Sequence, residues 1–282
     1  MRQFWKVWRV LSIILTRTSN LHWALRRTPE ENRSRLRARL QMEGCKRLCR
    51  VLGIQVELIG RPIPGKGRLV VSNHFGVLDT LILASVLPVS FVAKHELRDW
   101  PILGWVAGSF GVLFVDRDRR TTVSDFTAKV QERIACGVDV LVFPEGTTSP
   151  DLTVLPFKTG AFEAVARRSD QAVLPVYLRV ENVDGQPAIG SVRQRVVWSD
   201  SSLPFLEHCW QIAGLREIRM EVRIGDPIPV ANRDRKELAQ LSRIAVEELR
   251  DGMPAREELM SRERVPAMAA YGSFDPAKES AG

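Results

Sequence analysis

The sequence lacks any uncharged apolar run long enough to cross a bilayer. Its most apolar N-terminal stretch, residues 4–15, is interrupted by Lys6 and Arg9, and twelve residues of helix reach only about 18 Å across a hydrocarbon core of about 30 Å. Residues 97–115 are also apolar, but Pro101, several glycines and a strand-like end argue against a spanning helix there. The N-terminus does not have the pattern of a secretory signal. We therefore expect the folded body to face the cytoplasm.

Cysteine and recognised nucleophile motifs are also scarce. The four cysteines are Cys45, Cys49, Cys136 and Cys209. Cys45 and Cys49 lie four apart on a predicted helix, but no second close pair completes a zinc site, so free thiols are expected. The sequence has no Walker pattern, which excludes that type of nucleotide site. It also has no G-x-S-x-G elbow, because Ser109 in AGSFG has the wrong spacing.

The positive charge is concentrated in the first 50 residues. The chain of 282 residues has a formal charge of +8, and residues 1–50 hold thirteen Lys or Arg and three Glu, a local charge of +10. The remainder is close to neutral. A basic N-terminal segment of this kind indicates a polyanionic partner, which is either nucleic acid or an anionic membrane surface.

The first predicted helix favours the membrane. In residues 4–15, Trp5 and Trp8 are next to Lys6 and Arg9. Tryptophan rings at headgroup depth with cations over anionic lipid are typical of a helix that lies in the membrane interface. The alternative is a helix packed on its own domain.

A second helix is predicted to begin at TPEE, residues 28–31. Thr28 is placed as the cap, Pro29 at the first helical position, Glu31 as the end of a capping box, and Gly53 as the stop. One face of this helix is basic and carries Arg33, Arg35, Arg37, Arg39, Lys46, Arg47 and Arg50. Neither interleaved aromatics nor a known nucleic-acid module is present, so a membrane surface is expected and nucleic acid is not.

Beyond residue 53, strand and helix patterns alternate. Short apolar runs predict strands at 54–59, 68–73, 89–94, 111–116, 138–143, 172–180 and 217–225, with helices between several of them, one of which is at 158–168. This order predicts an α/β fold in which helices flank a central mixed sheet. We predict a basic helical segment at 1–53, one catalytic domain at 54–252 and a loosely held tail at 253–282.

VVSNHFGVLDTLIL, residues 70–83, places His74 at the end of a predicted strand and Asp79 five residues later. On one regular helix the two side chains would point about 140° apart and would not meet. If the chain instead turns at Gly76, Asp79 folds back to the imidazole. A carboxylate on one ring nitrogen leaves the other nitrogen free to accept a proton. A structural His–Asp pair is the alternative.

A second group of polar residues, FPEGTTS at 143–149, follows another predicted buried strand. It combines a carboxylate, a glycine and hydroxyls, with Lys158 shortly after. Such a loop offers N–H groups and hydroxyls to an oxyanion or a phosphate. It is equally compatible with an ordinary strand-to-helix turn.

Four blocks together resemble the glycerolipid acyltransferase family typified by bacterial 1-acylglycerol-3-phosphate acyltransferase. They are NHFGVLD at 73–79, GVLFVDR at 111–117, FPEGTTS at 143–149 and VLPVYL at 173–178, and they follow the family's order. Lys94 with Glu96 and Leu97 also resembles a family segment.

This resemblance implies that His74 is the general base and that Asp79 orients it. A lyso-lipid hydroxyl would then attack the thioester of acyl-CoA or acyl carrier protein directly, and no further cofactor is expected. The acceptor-binding residues implied by the resemblance or by charge are Lys94, Gly111, Arg117, Glu145, Gly146, Thr147 and Lys158. The leading prediction is formation of phosphatidic acid from 1-acylglycerol-3-phosphate at the cytoplasmic face of the membrane, by a peripheral or monotopic enzyme.

Two departures from the family pattern affect the acceptor. Val77 stands where the family often has serine, and Thr148 stands where it usually has arginine. The second departure removes one candidate for phosphate binding, so lyso-ornithine lipid is the alternative acceptor. A non-catalytic protein that binds anionic lipid is a more distant alternative.

Overall fold

A computed structural model describes residues 1–61, 67–115, 122–198 and 203–252. The predicted acceptor residue Arg117 and the predicted tail at 253–282 lie outside these residues.

The N-terminal third is mainly helical, and helices recur between the later strands. The helices are α1 (Arg2–Leu25), α2 (Glu30–Leu52), α3 (Leu78–Val86), α4 (Leu103–Ser109), α5 (Thr122–Ala135), α6 (Ser191–Gln194), α7 (Phe205–Gly214) and α8 (Arg235–Asp251), with 3-10 turns at His95–Asp99 and Thr159–Phe162.

The strands of the described chain form one mixed sheet. They are β1 (Ile54–Ile59), β2 (Leu69–Ser72), β3 (Val89–Lys94), β4 (Leu113–Val115), β5 (Asp139–Val142), β6 (Ala172–Val183), β7 (Gln186–Pro187), β8 (Ile218–Ile224) and β9 (Ile228–Pro229). The spatial order is β1-β8-β6-β2-β5-β3-β4, with β7 and β9 paired to β6. β6 and β8 are antiparallel, whereas β2 is parallel to both β5 and β6. The predicted mixed α/β fold is confirmed.

Two apolar layers cover the sheet, which explains why its central strands read as continuous apolar runs. In β2, Val70 faces the layer that contains α3, whereas Leu69 and Val71 face the layer that contains α5 and α8. All three side chains are fully buried. The sheet is therefore a rigid platform whose loops at the strand ends are free to carry function.

The N-terminal helices pack on this platform and on each other. Lys6 of α1 is buried, and its Nζ donates to the carbonyls of Leu52 and Leu215, each at 2.7 Å. These carbonyls lie at the ends of α2 and α7, where a cation is favourable because helix C-termini carry partial negative charge. Burial lowers the pKa of the Lys6 ammonium. This contact fixes the start of α1 to the body of the protein.

Two local predictions were wrong. α2 begins at Glu30, not behind a Thr28 cap, because α1 extends to Leu25 and the Thr28 hydroxyl donates to the Ala24 carbonyl at 2.9 Å within that last turn. The helix predicted at 158–168 is only the 3-10 turn Thr159–Phe162. Arg167 adopts a left-handed φ of 62° and donates its N–H to the Arg233 carbonyl, so a regular helix cannot continue through it.

Candidate active site

The carboxyl ends of β2 and β5 carry the two predicted polar groups. The strands are parallel, and Val71 pairs with Val142. His74 lies three residues after Val71 and Glu145 three residues after Val142, so both come at the same level beyond the sheet. A side-chain bridge holds this end of the sheet, because the buried Asn73 amide both donates to and accepts from the Leu178 backbone at 2.9 Å. Asn73 thereby replaces a backbone pairing with β6 just before His74.

The predicted contact between His74 and Asp79 is confirmed. His74 Nδ1 lies 2.6 Å from Asp79 Oδ2. The same oxygen accepts the N–H groups of Phe75 at 2.7 Å and Gly76 at 3.0 Å. Asp79 lies in the first turn of α3 and is fully buried. The carboxylate therefore fixes both the ring of His74 and the turn that follows it.

The imidazole is held on a second side by Phe143, whose ring stacks on it with centroids 4.1 Å apart and planes at 15°. The His74 side chain is still 23% exposed. Because Asp79 occupies Nδ1, Nε2 is the nitrogen left to exchange a proton with a bound hydroxyl. The geometry is that of a general base held by a buried carboxylate.

Glu145 was predicted to bind the acceptor, but both of its oxygens accept backbone N–H groups. Oε2 accepts from His74 at 3.3 Å and Oε1 from Leu155 at 3.1 Å. The residue is only 3% exposed. Burial raises the pKa of Glu145 to about 8, and the nearby charge of Asp79 adds to this effect. These contacts give Glu145 a positioning role for the His74 backbone.

This raised pKa predicts a pH-dependent stability. Between the ordinary value of 4.5 and about 8, the folded protein keeps a proton on Glu145 that the unfolded chain releases. The free energy of unfolding should therefore fall as pH rises through this window, by on the order of 1–3 kcal/mol. Urea unfolding of the wild type and of Glu145→Gln across the window measures this difference. An identical decline in both proteins would contradict the assignment.

Gly146 and Lys158 form the next part of the loop. Gly146 has a left-handed φ of 74°, and a Cβ built on it would lie 2.7 Å from Lys158 Nζ. The stem of Lys158 therefore crosses the face of Gly146, while its backbone N–H donates to the Pro144 carbonyl at 2.8 Å. Thr147 is exposed beside them. Gly146, Thr147 and Lys158 thus lie together in the loop after β5, as predicted.

Replacing Gly146 with alanine should displace Lys158 and lower stability by about 1 kcal/mol, since the left-handed backbone disfavours any Cβ. Because Lys158 is a predicted acceptor residue, KM for the acceptor should rise while kcat changes less. Gly160→Ala is the matched control, because its Cβ would meet nothing within 4 Å. Equal effects of the two substitutions on KM would contradict this placement of Lys158.

The remaining predicted residues separate into two groups. Lys94 ends β3, pairs in register with Val115, and is exposed at the same sheet edge as His74. Gly111 precedes β4 at the opposite edge, so the registers place it roughly 16 Å below the level of His74. Its Cβ would lie 3.1 Å from Arg37 Cδ, and its carbonyl accepts from Ser90. In the structure Gly111 therefore packs against α2, and its predicted help in placing the acceptor phosphate stays a prediction.

An aromatic cluster beside the His74 turn was not predicted as part of the site. The backbone N–H of Trp198 donates to the Phe75 carbonyl at 2.9 Å. The Trp198 ring packs edge-on against Phe205, with ring centroids 5.6 Å apart. Phe205 also contacts Trp100 at 5.0 Å. Trp198 and Phe205 lie outside the four family blocks, and their aromatic character alone did not indicate that they are near His74.

Comparison with known proteins places this site in a family. A family model described as Acyltransferase matches residues 54–179, which include His74, Asp79 and Glu145. A lyso-ornithine lipid O-acyltransferase of Brucella abortus is 36% identical over 200 residues, covering 68% of this chain and 74% of that protein. The chain belongs to the acyltransferase family. A second lyso-ornithine lipid O-acyltransferase, from Rhodobacter capsulatus, is 34% identical over 75% of each chain.

This acyltransferase also resembles proteins named for a different acceptor. A 1-acyl-sn-glycerol-3-phosphate acyltransferase of Neisseria gonorrhoeae is 33% identical over 166 residues, covering 58% of this chain and 62% of that protein. The crystal structure of the 1-acyl-sn-glycerophosphate acyltransferase PlsC from Thermotoga maritima matches with a TM-score of 0.59 and 21% identity. That match covers 93% of this acyltransferase and 99% of the other chain. The two proteins therefore share a fold.

Proposed function

We propose that this acyltransferase moves a fatty acyl chain from the thioester of acyl-CoA or acyl carrier protein directly to the free hydroxyl of a lyso-lipid. His74 Nε2 removes the hydroxyl proton as the oxygen attacks the thioester carbon. The tetrahedral intermediate then expels the thiolate, which receives that proton from the imidazolium, and the products are an ester and a free thiol. The observation that carries this proposal is the 2.6 Å contact between His74 and the buried Asp79.

Direct attack is favoured over an acyl-enzyme on Cys45, Cys49 or Cys209. Burial raises the pKa values of the thiols of Cys45, Cys49 and Cys209, in the case of Cys49 to about 11. A thiol is a nucleophile mainly as thiolate, and these thiols are protonated at neutral pH.

Lyso-ornithine lipid and 1-acylglycerol-3-phosphate are the two candidate acceptors. The latter would give phosphatidic acid. Two observations favour lyso-ornithine lipid. Its acyltransferases from B. abortus and R. capsulatus match over a larger share of this chain than the Neisseria protein does. Thr148 also removes a cation from the loop after β5, and a doubly charged phosphate needs such cations more than a zwitterionic head group does.

We further propose that α1 places the enzyme on the cytoplasmic surface of an anionic membrane. Phe4 and Trp8 are 69% and 65% exposed, although α1 is packed on the body through Lys6. The Arg27 guanidinium lies 3.6 Å from the centroid of the exposed Trp23 ring. Exposed aromatics paired with cations suit the headgroup region. No helix in the described part of the chain combines the length and apolarity needed to cross a membrane.

A panel of acceptors tests this function. Detergent-dispersed enzyme is supplied with one acyl-CoA and, in separate reactions, lyso-ornithine lipid, 1-acylglycerol-3-phosphate or lysophosphatidylcholine, and product is measured by mass spectrometry. The panel is repeated with acyl carrier protein as donor. We expect the highest kcat/KM with lyso-ornithine lipid. A higher value with 1-acylglycerol-3-phosphate would favour phosphatidic acid synthesis, and no product with any acceptor would overturn the proposal.

A further inference from the structure

A cavity of about 460 Å³ lies between the end of α1, the middle of α2 and α4. Among the described residues, its cationic or titratable side chains are Arg37, Arg98 and His22, and none of the lining side chains is acidic. Leu25 and Trp105 give it an apolar wall. The described lining therefore combines cationic and apolar side chains.

Arg37 lines this cavity, and no side chain of the described residues pairs with its charge. Its Nε is buried and has no hydrogen-bond partner within the described chain. Burial lowers the pKa of the guanidinium, and repulsion from Arg133 and Arg33 lowers it further. Among the described residues, neither Arg37 nor Arg98 forms an ion pair. A partly buried guanidinium whose charged neighbours in the described chain are Arg133 and Arg33 costs free energy, which an anionic ligand would recover.

The structure around Arg37 makes room for its side chain. Gly111 lies against Arg37 Cδ, and the built Cβ distance of 3.1 Å is too tight for a larger residue without a shift. Ser34 accepts a hydrogen bond from Arg133 Nη1, which keeps that second guanidinium beside Arg37. Arg133 does not line the cavity, but its charge keeps Arg37 in a cationic environment, and the two arginines of the lining itself, Arg37 and Arg98, suit recognition of a phosphate.

The surroundings favour a phosphate carried on a lipid over a soluble phosphate. Trp105 stacks on His22 with centroids 6.2 Å apart and is 50% exposed. Ile102, just before α4, and Trp23, next to His22 on α1, are also exposed. An anion site rimmed by exposed apolar side chains suits a molecule with a charged head and acyl tails.

We propose that this cavity binds the phosphate of an anionic membrane phospholipid, separately from the acceptor at His74. Phe114 of β4 lines the cavity, and β4 lies three strands from β2, about 14 Å across the sheet. The bound lipid would orient α1 and α4 on the bilayer while the acceptor is acylated at the carboxyl edge. This inference rests on the proposed membrane association but does not require turnover.

Titration with dihexanoyl phosphatidylglycerol below its micelle concentration tests the site without a bilayer. Isothermal calorimetry of the full chain should show that it binds this lipid. Its affinities for dihexanoyl phosphatidylcholine and for inorganic phosphate should each be at least about tenfold lower. Arg37→Gln and, separately, Arg98→Gln should each weaken it by about tenfold, since each removes a charge-assisted hydrogen bond. The matched control is Arg47→Gln, an exposed cation on the same helix, which should bind as the wild type does.

Three results would overturn the inference. Equal affinity for inorganic phosphate would make this a free-anion site. Unchanged affinity in both the Arg37 and Arg98 variants would place the lipid elsewhere, and Arg98, being exposed, can be replaced with little risk to folding. A raised acceptor KM in either variant, measured in detergent, would make the cavity part of the acceptor site. Because the titration involves no catalysis, failure of the proposed acyl transfer would leave its result unchanged.

Discussion

His74→Ala is expected to lower kcat/KM for acyl transfer by about a thousandfold, the scale of a positioned general base. Asp79 and Phe143 hold the His74 imidazole in one orientation and leave Nε2 to accept the proton. The fold should survive, because the His74 side chain is partly exposed and the sheet beneath it is held by other residues. Initial rates in detergent, with circular dichroism on the same samples, measure both quantities.

His95→Ala is the matched control, because His95 is an exposed histidine on the 3-10 turn after β3. Its kcat/KM should stay within about threefold of the wild type, as for most surface substitutions. If His74→Ala kept more than about a tenth of the wild-type rate, His74 would not be the base. The His–Asp pair would then be structural.

Asp79→Asn is expected to lower kcat/KM by about a hundredfold or more. Asparagine keeps the shape and one acceptor oxygen for the N–H groups of Phe75 and Gly76. It loses the negative charge that stabilises the imidazolium formed when His74 takes the proton. The effect should therefore appear in kcat more than in the acceptor KM.

A double-mutant cycle separates this role from a structural one. If Asp79 acts through His74, the double variant His74→Ala with Asp79→Asn should be about as slow as His74→Ala alone, since the orienting charge has nothing left to orient. Thermal unfolding of each variant controls for damage to the turn. Multiplicative losses would mean that the two residues act independently.

The strands that position the site could be predicted because a strand buried on both faces of the sheet is a short apolar run in the sequence. The apolar runs at 69–71 in β2 and 140–142 in β5 are followed within three residues by His74 and Glu145 respectively. The turn of Asp79 back to His74 was also predictable, because a regular helix would have kept them apart and Gly76 offered a bend. A Cβ on Gly76 would lie 3.0 Å from the Trp198 nitrogen, so close approach of Trp198 also limits what can replace this glycine.

The backbone contacts of Glu145 and the packing of Gly111 could not be predicted, because they join distant segments of the chain. Glu145 receives the N–H of Leu155, ten residues away, and that of His74, seventy-one residues away. Gly111 faces Arg37 of α2, whose packing on the sheet no local pattern indicates. A family block identifies such residues as a set but does not say which of them contact a ligand and which hold the backbone.

Intact-protein mass spectrometry tests direct transfer most sharply. Enzyme is mixed with acyl-CoA alone, quenched at short times, and compared with a sample that also receives the preferred lyso-lipid. Direct transfer predicts unmodified protein in both samples, with free CoA and acylated lipid formed in equal amounts only when the acceptor is present. A protein species heavier by one acyl group, formed without acceptor and lost when acceptor is added, would contradict it.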